Sequence, residues 1–139
     1  MVKHRYPSQQ ELQRLAAMSI TQLQQQAVAG NSAAAVVLGK RIALERNFMD
    51  GQVILREQTL SGNMFAFYAI SETFREGQQR NLVEGAAYLR LAYILGDRKA
   101  ADEIAKMRLS SAEIAAADTR ALQLYRGFAE DQVPDPRPR

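Results

Sequence analysis

Glu84–Gly96, EGAAYLRLAYILG, is the stretch that decides the fold. Small residues at Gly85, Ala86 and Ala92 let a neighbouring helix approach closely, while Tyr88, Leu91 and Leu95 fill the space beside them. Gly85 costs about 1 kcal/mol of helix propensity against Ala, so it marks either close packing or simple tolerance in a first turn. Asn81 and Glu84 stand three apart, the spacing of a helix cap, and the whole reads as one helix over about 82–95. Gly96 follows it at the position where a helix end turns left-handed.

The same step, a Gly followed by a polar residue, occurs at Gly30-Asn31-Ser32, Gly62-Asn63-Met64 and Gly96-Asp97-Arg98, with separations of 32 and 34 residues. Each Gly suits the αL position past one helix, and the Asn or Asp after it can cap the next by accepting from free N–H groups. Reading outward from these anchors predicts about eight helices. The first covers 8–18 behind the Ser8/Glu11 cap spacing. The second opens at Ser19 or Thr21 and ends near Ala29. The third, 32–46, turns Ala35, Leu38 and Ile42 inward, and the fourth starts at Asp50 and stops before Gly62. The fifth, 63–76, carries the stripe Phe67, Ile70, Ser71 and Phe74 and ends at Gly77, with a Gln78-Gln79-Arg80 loop beyond. The seventh covers 97–108, and Ser110 with Glu113 opens a longer final helix to about Phe128. The organisation expected is a flexible lead at 1–7, one helical domain at 8–129 and a flexible Pro/Arg tail at 130–139. Within the domain, helices at 8–29 cap units at about 30–61, 62–95 and 96–129.

Composition agrees with an all-α chain. Hydrophobic residues make up 47% and aromatics 7%, without Trp and without long β-branched runs. The absence of Cys removes disulfide frameworks, thiolate zinc sites and cysteine nucleophiles. The sequence pI of about 9.4 suggests nucleic acid until the charges are located. Lys3, Arg5, Arg137 and Arg139, against Asp135, lie at the ends, and between residues 6 and 133 acids and bases cancel. Phosphate binding needs bases clustered on one face, so no nucleic-acid partner is expected. No run reaches the ~18 apolar residues of a membrane span, and no charged n-region with an apolar core opens the chain. A soluble protein is expected, cytoplasmic if Met1 is the native start and periplasmic if an export signal has been removed.

The middle unit resembles the Sel-one-like repeat family, relatives of tetratricopeptide repeats built from antiparallel helix pairs. Gly62, Ala66, Ile70, Ser71 and Phe74 occupy its first-helix positions, Gly77 its loop, and Tyr88, Ala92 and Gly96 its second helix. The preceding unit offers Gly30, Ala34, Leu38, Gly39 and Ile42. The resemblance covers about residues 19–109. It departs from the family pattern at Arg46–Gly51, where the Gly loop is missing, and at Arg108, where an aromatic is expected. It implies a right-handed α-α superhelix, or solenoid, and scaffold or adaptor roles of the kind found in bacterial envelope or signalling assemblies. Tetratricopeptide geometry puts Val36, Lys40 and Ala43, then Phe65, Tyr68, Glu72 and Arg75, then Lys99, Asp102 and Lys106 on the concave face.

Catalytic chemistry is hard to build from this chain. His4 is the only histidine, so neither a His-based triad nor a multi-His metal site can form. No Walker-type loop or dinucleotide fingerprint occurs, and the pairs Asp102-Glu103 and Glu72/Glu76 read as solvated helix surface. The three Pro of Pro134–Arg139 make too short a segment to favour a PxxP ligand. The expectation is therefore a non-catalytic adaptor, without cofactor or metal, that binds a protein or peptide through its concave face. Phe65 and Tyr68 face away from the core stripe and are its candidate anchors, unless a terminal helix covers them. The alternative is a structural protein that dimerises through an apolar helix face.

Overall fold

A computed structural model describes residues 6–77 and 80–132. His4, the first five residues of the expected lead, Gln78 and Gln79 of the loop, and the tail from 133 onward lie outside them. The described residues form eight α-helices and no strand: α1 Gln9–Ala16, α2 Ile20–Val28, α3 Ser32–Glu45, α4 Phe48–Leu60, α5 Met64–Glu76, α6 Leu82–Ile94, α7 Lys99–Lys106 and α8 Ser111–Gln132.

The helices begin where short polar side chains replace missing backbone partners. Asn31, Asn47, Asn63 and Asn81 cap α3, α4, α5 and α6 in turn, each accepting from a first-turn N–H at 2.9–3.1 Å. Ser19 with Gln22, and Ser110 with Glu113, close reciprocal capping boxes on α2 and α8. The ends are equally regular. Gly30, Gly62 and Gly96 have φ of 102°, 87° and 114°. At each, the Gly N–H bonds the carbonyl three residues back and the next N–H bonds the one five back, which satisfies two orphan carbonyls.

Several boundaries differ from those read in the sequence. Helix α4 starts at Phe48 because Asn47, not Asp50, is the cap, and Asp50 serves as a first-turn acid. Helix α7 is short, starting at Lys99, whose N–H bonds Asp97 Oδ1, and ending before Arg108, which takes φ 52°. Helix α8 runs through Gln132, past the boundary expected at 129.

Packing follows the small residues. Helices α3 and α4 are antiparallel and cross at Gly39, Ala43 and Gly51, where a Cβ on Gly51 would lie 2.4 Å from both Ala43 N and Gly39 O. Ala43 is therefore buried at this crossing and is not on a concave face. Helices α5 and α6 cross in the same manner at Ser71 and Gly85, where a Cβ on Gly85 would lie 3.2 Å from Ser71 O. Close packing, not tolerance, explains Gly85. Helix α3 touches α1, α2, α4 and α5, while α6 touches α5, α7 and α8. The main core joins Val36, Leu55, Phe67, Ile70, Phe74, Tyr88, Leu89 and Leu91, and a smaller one gathers Leu15, Ile20, Leu23, Ala34 and Leu38. Glu84 does not close a box with Asn81. Its carboxylate takes Arg120 of α8 at 2.9 and 3.0 Å and fastens that helix across α6.

Candidate functional site

Helices α1, α3 and α5 enclose an open groove of about 520 Å³. Its floor and walls are apolar, from Leu12 and Ala16 of α1, Val36, Val37 and Leu44 of α3, and Phe65 and Ala69 of α5. Its rim is charged. Lys40 Nζ reaches from α3 to α5, 3.1 Å from Glu72 Oε1 and 3.5 Å from Glu76 Oε2. Arg41 pairs with Glu45 at 3.2 Å and also donates to the Met18 carbonyl, which ties α3 to the turn after α1. The groove is thus apolar at its centre and carries paired charges at its edge.

Three of the eight sequence-predicted residues, Lys40, Phe65 and Glu72, come together in this groove. Val36, projected onto the same face, lies on its floor but is fully buried. Phe65 is half-buried against the main core, so it presents only part of its ring.

Tyr68 and Lys99 belong to a second cluster. The Tyr68 hydroxyl donates to Asp97 Oδ2 at 2.8 Å. The Tyr6 hydroxyl donates to the same oxygen, and the two rings meet edge to face at 5.5 Å. Lys99 Nζ lies 5.5 Å from the Tyr6 ring centroid. Burial pushes the Tyr68 phenol up to about 12, helped by the negative charges of Glu103 and Asp102. Tyr68 is thus covered in part by Tyr6, which precedes α1.

The other three do not join either cluster. Arg75 lays its side chain toward the α5–α6 crossing, where its Cγ would be 3.4 Å from a Cβ on Gly85. Asp102 is exposed on α7, and Lys106 pairs with Glu103 at 2.8 Å. The sequence reading missed Leu12, Val37 and Ala69 as groove residues because it assigned α1 a capping role and counted only one face of α3. It missed Tyr6 and Asp97 because their contact spans 91 positions and Asp97 had already been explained as a cap.

Among the described residues no helix is long and apolar enough to cross a membrane, and no three His, Cys, Asp or Glu side chains converge to hold a metal. Compared with known proteins, the chain matches no family model, no curated protein and no solved structure.

Proposed function

We propose that the chain is a non-catalytic adaptor of the Sel-one-like, tetratricopeptide-like kind, a right-handed solenoid whose concave face holds a protein or peptide segment. Two features support the solenoid. The left-handed Gly turns at 30, 62 and 96 share one hydrogen-bond pattern. The close crossings at Gly39/Gly51 and Ser71/Gly85 fall at matching places in two successive helix pairs. The observation that carries the binding reading is the groove between α1, α3 and α5, whose apolar floor is framed by the Lys40–Glu72 and Arg41–Glu45 pairs. A partner with an apolar ridge and flanking charges of both signs fits it, and the balanced rim favours protein over nucleic acid.

The test replaces two half-buried groove residues, Val37 and Phe65, each at the margin of a core and not among its buried members. Val37→Glu with Phe65→Ala is expected to lower capture of a partner from source-cell lysate at least about tenfold, and to weaken direct binding of the recovered partner equally. Val28→Glu, at a residue 89% exposed and outside the groove, is the control. Unchanged binding by a double variant of native helical circular dichroism would refute the groove as the site.

A second reading is supported by α4. Met49, Val53 and Leu60 lie on one face of that helix and are 60%, 55% and 37% exposed, an apolar stripe suited to self-association. Sedimentation over a hundredfold range of concentration decides it, in order of magnitude, by whether mass rises and whether Val53→Glu abolishes the rise.

A further inference from the structure

Tyr6 lies at the start of the described chain, yet its side chain is seated 91 residues away in sequence, on Asp97. Asp97 is only 2% exposed, and both carboxylate oxygens are used: Oδ1 accepts from Lys99 N at 3.1 Å, and Oδ2 accepts from the Tyr6 and Tyr68 hydroxyls. The Tyr6 ring has Tyr68 at its edge and the Lys99 ammonium over its face. Beside it, Gly96, Asp97, Arg98 and Lys99 border an open hollow of about 350 Å³.

Each contact selects for one feature of a side chain. The buried carboxylate calls for a hydroxyl donor, the ammonium for a π face, and the edge of Tyr68 for a flat ring. A tyrosine satisfies all three, while a phenylalanine leaves Asp97 with one donor fewer. A phosphorylated tyrosine would set its phosphate against the carboxylate. From this juxtaposition we infer that Asp97, Tyr68 and Lys99 form a tyrosine-accepting subsite, that Tyr6 is its occupant in cis, and that a tyrosine-bearing extended segment of a protein partner binds by displacing it.

The inference rests on the concave-face reading and adds a specificity element and a built-in competitor to it. A tethered occupant acts at an effective concentration on the order of millimolar, so an incoming tyrosine competes against a constant local supply. Removing Tyr6 takes this tethered ring out of competition and leaves the side chains of Asp97, Tyr68 and Lys99 in place.

The experiment uses the full chain and a fluorescein-labelled peptide, KHRYPSQ, with the sequence of residues 3–9. Fluorescence anisotropy is expected to show about tenfold or greater tightening on the Tyr6→Ala chain relative to the unsubstituted one. The same peptide with Phe or phosphotyrosine in place of Tyr is expected to bind that chain at least about tenfold more weakly. Equal binding by the Phe peptide, or no saturable binding to the Tyr6→Ala chain, would overturn the subsite. Should Tyr6→Ala unfold the chain, NMR of the unsubstituted protein with ring-labelled tyrosines decides the matter. Tyr6 and Tyr68 resonances must then shift with the Tyr peptide and not with its Phe version, and unmoved resonances overturn the inference. Because the peptide assay needs no natural partner, its failure is separable from failure of the groove: Val37→Glu with Phe65→Ala should lose the partner yet keep the peptide.

Discussion

At the scale of single residues, the asparagine caps do similar jobs in different surroundings. Asn47 is exposed, and replacing it removes one bond to Asp50 N, so Asn47→Ala should cost about 1 kcal/mol. Asn63 is 1% exposed, accepts from Phe65 N and donates to Gln58 Oε1. Asn63→Ala leaves the part-buried Phe65 N–H and Gln58 Oε1 without this partner, and the expected cost rises to about 2 kcal/mol, measurable by urea unfolding of the two variants side by side. Tyr68 supplies a pH-dependent test. Its phenol has an ordinary value of 10.0 in the unfolded chain and about 12 in the folded one, so folding favours the protonated form. That contribution is complete below pH 10 and disappears as the pH approaches 12. Stability of the native chain should fall more steeply over that interval than stability of Tyr68→Phe, which lacks the ionisable hydroxyl. Parallel slopes in urea titrations would show that Tyr68 ionises alike in both states.

For the helices, the deciding quantity is the distance between backbones. Gly51 sits where a methyl group would meet backbone atoms of α3 at 2.4 Å, and backbone cannot swing aside as a side-chain tip can. Gly51→Ala should therefore destabilise by about 3 kcal/mol or more, as overpacking at a rigid contact does. Gly127 lies inside α8 with nothing within 4 Å of a new Cβ. Gly127→Ala should instead stabilise by about 0.5–1 kcal/mol through helix propensity alone. Thermal unfolding of the two variants should move in opposite directions, and a shared sign would contradict the close crossing.

For the molecule as a whole, the presence of two cores predicts uneven stability. The smaller one, around Leu15, Ile20 and Leu23, is built from α1, α2 and one face of α3, whereas the larger draws on α3 through α7. Leu23→Ala, which hollows the smaller core, should speed hydrogen exchange through α1 and α2 while leaving α5 and α6 protected. Exchange rising equally in all helices would mean that the two cores open as one unit. The groove between α1, α3 and α5 depends on this boundary, because α1 forms one wall and belongs to the weaker core. Any partner seated there would bind to α1 as well as to the more stable helices, and would be expected to protect α1 from exchange.

Eight helices and most of their ends were legible in the sequence, because caps and left-handed Gly positions are local: Gly30-Asn31, Gly62-Asn63 and Gly96-Asp97 settle their geometry among neighbours within five residues. Locality also explains the error at α4: the reading started the helix at Asp50, whereas the backbone path makes Asn47, three residues earlier, the cap. Tertiary structure alone decided that Gly51 faces Gly39, that Glu84 answers Arg120, and that Lys40, Phe65 and Glu72 share a groove while Tyr68 turns to Tyr6 and Asp97. Those pairings join residues far apart along the chain, and spacing within a helix fixes which face a side chain takes without fixing what that face meets.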